Sequence, residues 1–211
     1  TGLSSLAKNL HGSIYDILVK GEEVSKKINK TSFSYLDIIP SSNDLVGAEV
    51  ELVGIMAREY QLKKSLDTIS GDYDLIIIDC PPSLGMLTVN SLTAATSVLV
   101  PLQCEFYALE GLTQLMHTIE AVRAGLNPHL LMQGIVLTMY DTRNRLSSMV
   151  ASDVRGHLGH LVYETVIPRN VRVSEAPSFG QPVLMYDLKC PGSQAYAALA
   201  AEVLTQERQA A

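Results

Sequence analysis

Short unbroken runs of apolar residues alternate along this chain with longer stretches in which apolar positions recur every three or four residues. The clearest run is Asp74-Leu75-Ile76-Ile77-Ile78-Asp79, whose four consecutive apolar residues fit a strand covered on both faces, as in a parallel sheet. Similar runs predict strands over 97–102, 134–138 and 162–167, and a shorter one over 35–39 stopped by Pro40. Helical spacing predicts short helices over 13–19 and 24–28. A long helix follows the capping residues Ser41, Ser42, Asn43 and Asp44 and carries Leu45, Val46, Val50, Leu52, Val53 and Met56. Further helices are expected over 62–69, 86–95, 109–124 and 147–158, and an alanine-rich one over 192–207. Strands separated by helices of this length imply right-handed crossovers. The expected fold class is α/β, a mostly parallel sheet flanked by helices on both faces. No repeat, low-complexity tract or linker interrupts the pattern, which predicts one domain over 1–211.

Composition narrows the function classes. With 47% hydrophobic and 18% charged residues, the 211-residue chain reads as globular rather than disordered. A net charge of -6 argues against a uniformly basic nucleic-acid coat and leaves room for a local basic patch. The three cysteines lie far apart and form no C-x-x-C pair, which points to a reducing compartment, hence cytoplasmic. His157 and His160 have no carboxylate or third ligand arranged around them and read as surface histidines. No apolar run approaches the roughly 18 residues that would span a bilayer, and residues 1–8 lack the build of a secretory signal.

Ligands of open α/β sheets bind beyond the carboxyl ends of the strands, so the residues after each strand matter most. Asp79-Cys80-Pro81-Pro82-Ser83 places a carboxylate at the end of an apolar run, the pattern of a Walker B aspartate. A strand-terminal Asp is equally a cap or turn former. The later loops read Pro101-Leu102-Gln103-Cys104-Glu105-Phe106-Tyr107-Ala108-Leu109-Glu110-Gly111, Thr138-Met139-Tyr140-Asp141, and Ile167-Pro168-Arg169-Asn170-Val171-Arg172 followed by Ser174-Glu175-Ala176-Pro177-Ser178. Within the first of these, Phe106, Tyr107 and Leu109 form an apolar stripe read as core before interface.

In this order the motifs resemble the ParA/Soj family of chromosome and plasmid partition ATPases, of the deviant Walker A class. The resemblance spans essentially the whole chain and includes Gly47-Ala48-Glu49-Val50-Glu51-Leu52. It implies a P-loop NTPase-like fold of ParA/MinD type, with ATP and Mg²⁺ as cofactors. By this resemblance Asp79 is the catalytic and metal-shell carboxylate. Thr138, Met139, Pro168 and Asn170 lie on the loops that border adenine, and Arg143 and Arg172 match arginines that contact double-stranded DNA without sequence preference. The implied cycle has ATP sandwiched in a homodimer on the nucleoid, with hydrolysis stimulated by a ParB-type partner. A MinD-like membrane role is disfavoured, because residues 195–211 carry one basic residue, Arg208, against Glu202 and Glu207.

Two further features qualify the resemblance. The family's P-loop, K-G-G-x-G-K-T, has no counterpart here, and no Gly-Lys dipeptide occurs. The chain is therefore expected to begin about 40 residues inside the domain, lacking one strand–P-loop–helix–strand unit. It should then expose apolar strand and helix faces and not hydrolyse ATP by itself. The alternative is a P-loop-less, non-catalytic paralogue acting as a binding module. Residues 141–175 hold five of the eight arginines against four acids and no lysine, which makes them slightly basic in an acidic chain. Arginine suits bidentate phosphate contacts.

Overall fold

The computed structural model describes residues 10–210. They form two compact units, one of residues 10–97 and 115–131 and one of residues 98–114 and 132–210. The long helix α5 (Ala108–Gly125) contributes to each and is introduced here out of chain order.

The first unit is mainly helical. It contains α1 (Ile14–Leu18), α2 (Leu45–Glu51), α3 (Gln61–Leu66), α4 (Met86–Ala94), and an antiparallel pair of short strands, β1 (Asn29–Lys30) and β2 (Asp37–Ile38). Asp16 starts α1 by accepting the Ser13 N–H at 2.8 Å. The core gathers Leu18, Ala48, Leu52 and Leu62, with Ile78, Met86 and Leu87 packed against it. Asn90 on α4, fully buried, ties this region together. Its side-chain oxygen accepts the Leu62 N–H at 3.2 Å, and its amide donates to the Arg58 carbonyl at 2.8 Å.

Three expectations for this unit are corrected. The long helix ends at Glu51 and gives way to a 3₁₀ turn over Leu52–Gly54. Its apolar positions fall on two stripes: Leu45, Ala48 and Leu52 face the core, while Val46, Val50 and Val53 are exposed. The strand expected over 35–39 shrinks to β2 and is antiparallel. Residues 74–79 form no strand: Leu75 and Ile77 are 64% and 82% exposed, and only Ile78 packs against the core. A run of four apolar residues becomes a buried strand only with ladder partners beside it and layers on both faces. No strand among the described residues pairs with this one.

The second unit is built on a three-stranded parallel sheet in the order β3 (Ser97–Gln103), β4 (Leu131–Tyr140), β5 (Val162–Pro168). Helices α6 (Arg145–Leu158), α7 (Val171–Glu175), α8 (Val183–Tyr186) and α9 (Pro191–Ala210) accompany it. The fold class is α/β with a parallel sheet flanked by helices, as the residue pattern requires. The central strand β4 buries four successive residues, Gly134 to Leu137, as a strand covered on both faces should. Val136, Tyr163 and Ile167 of the sheet pack against Leu199 of α9. α6 buries Ser147, Val150, Ala151 and Val154, the spacing of one helical face.

The β4–β5 ladder is irregular twice. Between the pairs Ile135–Val162 and Leu137–Val166, β5 advances four residues while β4 advances two. Between Leu137–Val166 and Tyr140–Pro168, β4 instead carries the extra residue, and Met139 there adopts a left-handed φ of 53°. Bulges of this kind re-aim side chains at sheet ends. Phe106 and Tyr107 do not join the core; both are exposed and meet edge to face with ring centroids 5.1 Å apart.

Candidate functional site

A parallel sheet brings the carboxyl ends of its strands to one edge, and two hydrogen bonds fix that edge here. The Arg169 N–H donates to the Tyr140 carbonyl at 2.9 Å, and the Cys104 N–H donates to the Thr138 carbonyl at 3.2 Å. Thr138, Met139, Pro168 and Asn170 are therefore neighbours along one edge of the second unit, all half-buried. Met139 lies at this edge in the bulge between the Leu137–Val166 and Tyr140–Pro168 pairs.

Asn170 has a fixed orientation. It is the N-cap of α7, and its side-chain oxygen accepts the Arg172 N–H at 2.9 Å. That bond assigns which end of the amide is oxygen, so its N–H₂ group is the end left to donate. Pro168 supplies a flat apolar surface beside it.

The arginines lie just beyond the same strand ends. Arg143 is 87% exposed and forks onto Asp141, with Nε to Oδ1 at 3.0 Å and Nη2 to Oδ2 at 2.9 Å. The hydrogen bonds from Arg143 hold the Asp141 carboxyl far below its ordinary value, at about 2. Asn144 then caps α6 by accepting the Leu146 N–H at 3.0 Å. Arg172, 52% exposed, meets Glu175 at 3.0 Å and Asp187 at 3.6 Å, and the Tyr186 hydroxyl also donates to Glu175 at 3.2 Å. Short sequence spacing marks Asp141 and Glu175 as partners for these arginines. Asp187 and Tyr186 come from a later turn and helix, and nothing in the sequence announces them.

Asp79 belongs to the first unit. Its carboxylate is exposed and makes no ion pair among the described residues. The following loop is tied to α4, where the Thr88 hydroxyl donates to the Ser83 carbonyl. Among the described residues no three His, Cys, Asp or Glu side chains cluster as a ready-made metal site, and no helix is long and apolar enough to cross a membrane.

Comparison with known proteins gives the following. The AAA_31 family model, an AAA domain, matches residues 1–132. The chromosome partitioning protein ParA of Caulobacter vibrioides is 58% identical over 210 residues, covering 99% of this chain and 79% of that protein. The sporulation initiation inhibitor protein Soj of Bacillus subtilis is 48% identical over 203 residues, covering 96% of this chain and 80% of that protein. Among solved structures, a cobyrinic acid a,c-diamide synthase from Mycobacterium smegmatis with bound ATP analogue and magnesium aligns with TM-score 0.78 and 36% identity. That alignment covers 96% of this chain and 75% of the other. The cell division ATPase MinD of Pyrococcus furiosus shares the fold at TM-score 0.76 and 20% identity, covering 97% of this chain and 79% of that one.

Proposed function

The chain belongs to the ParA/Soj family of chromosome-partitioning proteins, and we propose that it works as the nucleotide- and DNA-responsive part of a partition ATPase. In this reading both units are parts of one ParA-type domain. ATP with Mg²⁺ is the cofactor, which agrees with the ATP analogue and magnesium in the M. smegmatis neighbour. The observation that carries the reading is the oriented amide of Asn170 beside Pro168 at the carboxyl edge of the parallel sheet.

Thr138, Met139, Pro168 and Asn170 border the adenine, with Pro168 against the face and the Asn170 N–H₂ donating to the base edge. Asp79 holds the hydrated Mg²⁺ and positions water. When bound, the metal nucleotide supplies the charge stabilisation of phosphoryl transfer. The phosphates need a glycine- and lysine-rich loop that these 211 residues do not contain. Calorimetry on this chain alone should accordingly show no tight Mg-ATP binding, and micromolar affinity would misplace the nucleotide site.

Arg143 and Arg172 contact duplex DNA through phosphates, without reading bases. Each patch is weak, so an ATP-bound homodimer that presents it twice makes DNA binding conditional on nucleotide. A ParB-type partner then stimulates hydrolysis, and the protein works in the cytoplasm on the nucleoid. The test uses the protein that carries this chain together with a phosphate-binding loop. Sedimentation with and without ATP, on duplexes of unrelated sequence, should give an ATP-dependent dimer that binds all of them equally. Binding that ignores ATP, or that follows sequence, would overturn the reading.

A further inference from the structure

Both arginines of the DNA-contact reading are already engaged by carboxylates of their own chain. The Arg143 fork spends Nε and Nη2 on the two oxygens of Asp141, the pair of donors that would grip a phosphate bidentately. Asp141 is itself anchored, because one of its oxygens also accepts the Arg143 backbone N–H at 3.0 Å. That bond does not depend on the guanidinium. The second case is built differently and ends alike. Glu175 takes Arg172 at 3.0 Å while the Tyr186 hydroxyl holds the same carboxylate at 3.2 Å, and Asp187 approaches the guanidinium from another turn at 3.6 Å.

The formal charges follow from these contacts. Arg143 with Asp141 is neutral, and Arg172 with Glu175 and Asp187 is negative. Counted with these carboxylates alone, neither arginine carries net positive charge, although both guanidinium groups face solvent and Arg169 also acts on Asp141.

We propose that Asp141 and Glu175 are intramolecular phosphate mimics that hold down the affinity of Arg143 and Arg172 for DNA phosphates. The proposal rests on the DNA-contact reading of these two arginines and adds the groups that set its strength. To bind, a phosphate must share or displace an anchored carboxylate. An exposed ion pair competes by only a few-fold, so each mimic lowers the affinity of its own contact modestly. A symmetric dimer, with each contact present twice, compounds the effect. Weak single contacts are then kept below useful affinity until two copies act together.

The test compares nonspecific duplex binding by the full-length protein and its variants in ATP, across a salt titration, with a thermal melt of each. Asp141→Asn and Glu175→Gln should each tighten binding roughly threefold per contact. The gain of Asp141→Asn should vanish when combined with Arg143→Ala. Asp153→Asn on α6 removes the same charge from a residue that faces His157 rather than an arginine, and it should change nothing. Unchanged or weaker binding by Asp141→Asn and Glu175→Gln would overturn the proposal, since the carboxylates would then be orienting the arginines for DNA. An equal gain from Asp153→Asn would overturn it too, by reducing the effect to net charge. Arg143→Ala separates this failure from that of the underlying reading. If it weakens binding and flattens the salt dependence, the DNA contact stands whatever the carboxylates do; if it does neither, the contact and the mimicry fall together.

Discussion

Glu202 and Arg155 divide the free backbone of the β5 bulge between them. The Glu202 carboxylate accepts the N–H groups of Glu164 at 2.7 Å and Thr165 at 3.0 Å, and the Arg155 guanidinium donates to the carbonyls of Tyr163 at 2.8 Å and Glu164 at 3.3 Å. The two extra residues of β5 fall where these bonds lie, between the Val162 and Val166 ladder pairs. A bulge leaves backbone groups unpaired, and an exposed row of them invites pairing with another chain. Here α9 covers the donors and α6 covers the acceptors.

Glu202→Ala should therefore destabilise the protein by about 1 kcal/mol, the scale of losing hydrogen bonds to backbone donors that lie at the surface or are only partly buried. Burial alone would push the Glu202 carboxyl up, but the bonds from Thr165 and Glu164 and the nearby Arg155 outweigh it and lower its pKa. With the folded value depressed, the stabilisation is present above the unfolded value of roughly 4.3 and is lost as pH falls through the folded value. Urea midpoints of wild type and Glu202→Ala should be well separated at neutral pH and converge in acid. A constant gap would show that Glu202 acts through packing.

Gly134→Ala should cost about 1–3 kcal/mol by overpacking. A methyl at this position of β4 would lie 2.6 Å from the Tyr163 ring and 3.0 Å from the Leu161 carbonyl oxygen. Tyr163 is 1% exposed and has nowhere to move. In a Tyr163→Val background most of that cost should disappear, which a double-mutant cycle on urea midpoints reads directly.

These elements show what the residue pattern could and could not carry. The three parallel strands and helices α5, α6 and α9 are legible because their apolar positions recur along each element and their partners lie within the described residues; α4 buries Thr88, Asn90, Ser91 and Thr93 beside Leu92 and has no such apolar face. Residues 74–79 have an equally strong pattern and form no strand, because strand formation depends on a neighbour that local sequence does not encode. The helix expected after Asp44 overshoots α2 because its two apolar stripes share one spacing. Near the site, the motif residues Thr138, Met139, Pro168 and Asn170 stand out in sequence. The left-handed Met139, the capping role of Asn170 and the approach of Asp187 to Arg172 arise from register and tertiary packing.

Asp79→Ala, in the protein that also carries a phosphate-binding loop, should reduce ATP turnover at least about a hundredfold. The fold should tolerate it, since the carboxylate is exposed and makes no ion pair among the described residues. Turnover and thermal midpoint measured on one preparation check both halves. Near-normal turnover with an unchanged midpoint would remove Asp79 from the site.

Asn170 allows structural and recognition roles to be separated with two substitutions. Its oxygen caps α7 by accepting the Arg172 N–H, and its N–H₂ is the group assigned to the base. Asp at this position keeps an excellent capping acceptor and deletes the donor. Ala deletes both. Asn170→Asp should hold the wild-type thermal midpoint while weakening adenine nucleotide binding about tenfold or more, because an acceptor now faces a ring nitrogen acceptor across the base edge. Asn170→Ala should lose about 1 kcal/mol of stability through the cap. Its nucleotide binding should fall less than that of Asn170→Asp, since it removes a bond without adding a repulsion. The ordering of the two variants is therefore opposite in the two measurements. If binding instead follows stability, with Ala the worse variant in both, Asn170 acts on the nucleotide only by holding α7 in place.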